Sequence, residues 1–240
     1  VAAQERNARG NFGFIQSSIG AAAVVLERQP DSLEMLDWVF RKGLLTEDSY
    51  SGADIYETLI EKVTRDGHGT ESPAYNRIWL TDLSKLANML EDYEENGGYS
   101  LWSNPKYVEL AKAWHKTELV RRGVPSIGDS NTAGGFGEFP DDHGVLLDAF
   151  KYTKDKEETK ESSVLIAQRL YELKMRYADD LSGVHYDIFT ENPESVQQEI
   201  LDIIKAHGEY DYDKSSILTG YGFAALRGGT LYDTVGSDII

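Results

Sequence analysis

Cysteine is missing from all 240 residues, which rules out disulfides and thiolate metal sites without fixing the compartment. Basic charge is scarce as well. Lys and Arg number 24 against 41 Asp and Glu, a formal net charge of −17. Binding nucleic acid by neutralising its phosphates needs a basic surface, so the composition argues against that class. It argues more weakly against polyanions in general, because a local basic cleft governs the near field once salt screens the rest. Long apolar runs are also lacking. The longest, IGAAAVVL at 19–26, falls short of the roughly eighteen residues of a membrane span. The opening VAAQERNARG has no apolar core of a signal peptide and no initiator Met, which points to a processed or excised piece.

What remains is enough for a core. Hydrophobic residues make up 40% and aromatics 11%, with fourteen tyrosines and four tryptophans, so a disordered chain is not expected. Apolar residues recur with helical spacing along most of the length. Residues 11–28 present Phe14, Ile15, Ile19, Ala22, Val25 and Leu26, and Pro30 breaks the run. Asp31 then caps a short helix ending at Gly43. A third helix over 51–63 shows Ile55, Leu59 and Ile60 on one face, and stops at Asp66-Gly67. Ser72-Pro73 opens a fourth, since the missing N–H of Pro costs nothing at the first helical position; its stripe is Ile78, Trp79, Leu83, Leu86 and Leu90.

Pro105 opens a fifth helix, predicted to reach Gly123. The Gly-, Ser- and Pro-rich stretch that follows, to Pro140, reads as a long loop, a kind more often functional than decorative. Helices resume over 142–152, 162–177 and 194–207. From about residue 215, SSILTGYGFAALRGGTLYD is short, β-friendly and punctuated by glycine, as strands joined by turns are. The pattern predicts a mainly α chain of stacked helical hairpins, as in a toroid or solenoid, over 1–213, and the truncated start of a β domain over 214–240.

Four stretches carry more specific information: RGNFGFIQSS with the following AAAVVL (from Arg9), DGHGTESPAYN (from Asp66), RRGVPSIGDS (from Arg121) and GYGFAALRGG (from Gly220). In order and spacing they resemble the heparinase II/III-like polysaccharide lyases. The resemblance implies an incomplete (α/α) toroid of helical hairpins with the beginning of a C-terminal β-sandwich domain, and β-elimination on a uronic-acid-containing polysaccharide. Three tasks follow from that chemistry. The uronate carboxylate must be neutralised so that the C5 proton becomes acidic, a base must remove it, and an acid must protonate the leaving oxygen. By resemblance Asn11 takes the neutralising role, and Tyr75 is the acid and potentially the base. A phenol at the first turn of a helix lies at the positive end of the dipole, which favours its ionised form. Family members often carry a histidine a few residues after the GN pair, where this sequence has Ile15, and a histidine base of the β-sandwich would lie beyond Ile240.

Gln16, His68, Glu71, Arg77, Trp102 and Asp129 are the candidate substrate-binding residues. Each also has a structural reading. Tyr75 packs at a helix start, Asn11 caps a helix, Gln16 serves as a hydrogen-bonding residue, and His68 is a solvated turn histidine. Glu71 complements a helix dipole, Arg77 makes a surface ion pair, and Asp129 caps its own loop. Trp102 stands apart from Trp38, Trp79 and Trp114, which are core candidates, as the tryptophan placed to stack on a sugar. The histidines show no metal-binding spacing such as HExxH. No cofactor is expected in this chain; a divalent metal belongs, if anywhere, to the β part beyond it. The expected partners are an acidic polysaccharide and the remainder of the β-sandwich, with no nucleic acid and no membrane span, in a periplasmic or secreted setting implied by the resemblance. Three other functions share these residues: a uronate C5-epimerase, a toroid glycoside hydrolase using Asp66 and Glu71, and a non-catalytic helical carbohydrate-binding or scaffolding module.

Overall fold

The computed structural model describes residues 10–43, 52–117, 123–128, 137–138, 143–178, 192–211, 214–228 and 238–239. It is mainly helical, with short antiparallel strand pairs, one of them a C-terminal hairpin.

Helix α1, Phe14–Leu26, opens at Gly13 rather than at Asn11. Gly13 has φ +99°, and its N–H donates to Gln16 Oε1 at 3.0 Å. Asn11 contributes only its carbonyl, which accepts from Phe14 N at 3.3 Å. The predicted apolar face of α1 is largely on the outside: Phe14, Val25 and Leu26 are 59, 83 and 43% exposed. The buried face is Gln16, Ser17, Gly20 and Ala23. Close approach explains the inversion. A Cβ on Gly20 would lie 2.4 Å from Leu86 Cδ1, so only small residues fit where α1 meets α4.

Helix α2, Asp31–Asp37, runs into a π-helical turn, Trp38–Lys42, that carries Val39 and Phe40 into the core. Asp31 is the first helical residue and pairs with Arg28, so it does not cap α2. Helix α3, Ile55–Lys62, is capped by Asp54, whose Oδ1 accepts from Glu57 N at 2.7 Å. Its inner face holds Ile55 and Leu59; the predicted third member, Ile60, is 65% exposed. Helix α4, Pro73–Glu91, starts as its sequence predicts, with Ser72 at the cap and Pro73 in the first turn. Trp79, Leu83, Leu86 and Leu90 form its buried stripe, while Ile78 is half-buried.

The fifth predicted helix is shorter than its pattern. Helix α5, Pro105–Lys112, ends at Ala113, and a separate turn of helix, α6, covers Trp114–Thr117. The long loop contains a strand pair: β1, Gly123–Val124, runs antiparallel to β2, Gly137–Glu138, with Gly123 opposite Glu138. Helices α7, His143–Thr153, α8, Lys160–Ala178, and α9, Pro193–His207, follow. Strands β3, Ser216–Leu218, and β4, Phe223–Ala225, form the C-terminal hairpin, and β5, Arg227–Gly228, pairs with β6, Asp238–Ile239.

Helix α1 packs on α2 and α4, α4 on α7, α7 on α8 and α8 on α9, while α5 bridges α3 to α7 and α8. One apolar cluster extends from Phe12 through Leu83 and Phe150 to Ile200. Among the described residues no helix is long and apolar enough to cross a membrane.

Candidate active site

The DGHGTESPAYN segment is a tight turn between α3 and α4. Thr64 N donates to His68 O at 2.8 Å and Gly67 N to Thr64 O at 3.0 Å. Gly67 has φ +88°, and a Cβ there would fall 2.3 Å from Glu109 O, so both conformation and space require glycine. His68 is 3% exposed, and its Nε2 lies 3.0 Å from Ala113 O. A carbonyl only accepts, so Nε2 carries the hydrogen. Burial pushes the pKa of this ring down to about 4, against the opposing pull of the Ala113 carbonyl, and the ring is neutral near pH 7.

Asn76 ties the turn to α4. Its Nδ2 donates to Gly69 O at 3.0 Å and to Glu71 O at 3.1 Å. Oδ1 is buried with no hydrogen-bond partner among the described residues, and a Cβ on Gly69 would come within 2.4 Å of it.

Two of the other motifs meet this turn, and the first packs on α4 just beyond it. From the first, Phe12 packs edge-on against Trp79 with ring centroids 5.0 Å apart, and a Cβ on Gly13 would lie 3.0 Å from Asp82 Cβ. Tyr75 and Trp79 are four residues apart on α4 and so share a face. Phe12 therefore brings the Asn11 segment to the side of α4 that carries Tyr75. From the third, a Cβ on Gly128 would lie 3.5 Å from Ser72 Cβ.

From the fourth, the tip of the β3–β4 hairpin closes over the turn. Asp66 Oδ2 accepts from Gly220 N and from Tyr221 N, the latter at 3.1 Å. The Tyr221 hydroxyl donates to Glu71 O at 3.0 Å, and its ring stacks on His68 at 4.8 Å and 27°. Burial, reinforced by the charge of Glu71, pushes the Tyr221 phenol up to about 12, so it stays a donor. Ser216 Oγ adds a bond to Lys116 O at 2.9 Å.

Against this geometry the predicted residues divide. Asn11 is exposed and Tyr75 half-buried. Glu71 is half-buried and holds two donors on its backbone carbonyl. Arg77 is also half-buried but lies two residues beyond Tyr75, on a different face of α4. Three candidates are interior groups, which corrects their reading as sugar contacts. Gln16 is fully buried between Gly13 N and Ala53 O, to which its Nε2 donates at 2.7 Å. His68 is enclosed by Tyr221 and Ala113 rather than solvated. Trp102 is 0% exposed, donates from Nε1 to Asn88 Oδ1 at 2.9 Å, and packs on Tyr107 and Tyr152, leaving no face for a sugar. Asp129 lies outside the described residues.

Sequence reasoning missed Asn76, Tyr221 and the clamping role of Asp66. The signals were present: an Asn directly after the motif tyrosine, and a tyrosine flanked by glycines in a hairpin turn. Among the described residues no group of three or more His, Asp or Glu is placed to hold a metal ion. Set against models of known families, against curated proteins and against solved structures, the chain matches none.

Proposed function

We propose that this protein is a lyase that cleaves uronic-acid-containing polysaccharides by β-elimination, on an incomplete (α/α) toroid that continues into a β-sandwich, in a periplasmic or secreted setting. The observation that supports the reading is that the third and fourth motifs close on the turn of the second while the first packs on α4 just beyond it, with Asn11 exposed and Tyr75 half-buried. In the reaction, the Asn11 amide donates a hydrogen bond to the uronate carboxylate and stabilises the charge that develops as C5 loses its proton. Tyr75 as phenolate takes the C5 proton, the C5–H electron pair becomes the C4=C5 double bond, the C4–O bond breaks, and the Tyr75 phenol returns the proton to the leaving oxygen. This use of one residue requires the C5 proton and the leaving oxygen to lie on the same face of the sugar.

The geometry speaks against a two-carboxylate glycosidase on Asp66 and Glu71. Oδ2 of Asp66 is taken up by two backbone N–H groups of the hairpin, so this carboxylate clamps the fold rather than facing a glycosidic bond. The test is a panel of uronate polysaccharides followed by ultraviolet absorbance of the unsaturated product and by release of reducing ends. Both signals together are expected. Reducing ends without absorbance would mean a hydrolase, C5 inversion alone an epimerase, and binding with neither signal a non-catalytic module; each would overturn the proposal.

A further inference from the structure

We infer that Tyr221 is a positioning residue for the proposed reaction: from the tip of the C-terminal hairpin it fixes the turn that sets Tyr75 in place. Its consequence for catalysis rests on the lyase reading, while the contact itself does not. The line of contact is short. The Tyr221 hydroxyl donates to Glu71 O at 3.0 Å, and the same carbonyl accepts from Asn76 Nδ2 at 3.1 Å. Asn76 is the residue next to Tyr75 in the first turn of α4, and its N–H donates to Ser72 O at 2.9 Å. The carbonyl is thus gripped from the hairpin on one side and from the helix on the other.

Two further contacts keep Tyr221 where it can do this. Its N–H and that of Gly220 meet the Asp66 carboxylate, and its ring lies flat on His68, itself anchored to Ala113. Gly220 must be glycine for the approach, since a Cβ would fall 2.8 Å from Asp66 Oδ2. Gly222, at φ +80°, turns the chain back with its N–H on Leu218 O at 2.7 Å. A hydroxyl already donated to a backbone carbonyl holds geometry. It is not poised to exchange protons with a substrate.

The test uses Tyr221→Phe, which keeps the ring on His68 and removes only the hydroxyl. Ile217→Ala, at an exposed site on β3, is the control. Hydrogen exchange over residues 70–76 should rise about fivefold or more in Tyr221→Phe, with α8 and the control unchanged. With a polysaccharide that wild type cleaves, kcat should fall about five- to tenfold, KM should stay within about twofold, and both limbs of the pH–rate profile should stay in place. Unchanged exchange over 70–76, or unchanged kcat, would overturn the inference. So would a loss beyond about a thousandfold with a missing pH limb, because Tyr221 would then be a reacting group. If Tyr221→Phe fails to fold, Asp66→Asn weakens the same clasp, and wild-type exchange over 70–76 in that variant would count against it. Absence of product from wild type on every substrate removes the lyase reading, and the exchange measurement still decides whether Tyr221 holds the turn.

Discussion

Gly67 and Gly69 stand two residues apart in one turn and are glycines for different reasons. At Gly67 the backbone is left-handed and the obstacle is the Glu109 carbonyl, which cannot step aside. At Gly69 the conformation is ordinary and the obstacles are side-chain atoms, Asn76 Oδ1 at 2.4 Å and the Trp79 ring at 2.7 Å. Gly67→Ala should therefore cost roughly 3 kcal/mol or more, combining left-handed strain with backbone overlap. Gly69→Ala should cost about 1–3 kcal/mol, the usual range for overpacking. Urea unfolding measures both, and a milder Gly67→Ala would refute the distinction. His68 gives a pH prediction. Its pKa is 6.5 unfolded and about 4 folded, so the unfolded chain binds the proton first as pH falls. Stability from the neutral ring is complete above about pH 6.5, declines through the window between, and is lost below about pH 4. Between neutral pH and about pH 4.5, wild type should lose roughly 2 kcal/mol more than His68→Gln. Equal losses would mean that His68 is not buried neutral.

At the scale of elements, α4 and α1 show where hydrophobic periodicity informs and where it misleads. On helix α4 the Trp and Leu stripe is the buried stripe, as its periodicity predicts. Helix α1 lies so close to α4 that the contact selects for smallness, and Phe14, Val25 and Leu26 of the apolar pattern lie outside instead. Small residues carry little hydrophobic signal, which is why this face was not legible in the sequence. Val25→Lys should change stability by less than about 0.5 kcal/mol, as at other exposed sites, although the apolar pattern places Val25 inside. Gly20→Leu should destabilise by about 1–3 kcal/mol through overlap with Leu86. Thermal unfolding of the two variants distinguishes the faces, and the reverse order would restore the predicted one. The β1–β2 pair was illegible for another reason: it depends on pairing between separated segments rather than on local residue preference.

At the scale of the molecule, the caps and breaks at Ser72-Pro73, Pro105 and Gly43 made most helix positions readable, because each acts on its own neighbours. The site was readable only in outline. Motif order alone drew attention to the turn at 66–76, yet spacing could not tell that residues 128 and 221 would reach it and that Phe12 would pack on Trp79 beside it. Nor could residue type tell that Gln16, His68 and Trp102 satisfy their polar atoms inside the fold rather than on a sugar. Their chemistry suits both uses, and burial decides between them. Asn11, Glu71 and Tyr75 are the candidates that combine a polar group, access to solvent and a place in the motifs, and of these Tyr75 carries the proton transfer in the proposed reaction. The central claim therefore turns on Tyr75. Wild type and Tyr75→Phe should be compared on the best uronate polysaccharide by ultraviolet absorbance of the unsaturated product, with circular dichroism matched between them. The account predicts a loss of about a hundredfold or more in kcat at unchanged fold, as for removal of a general acid. Full activity in Tyr75→Phe would contradict it.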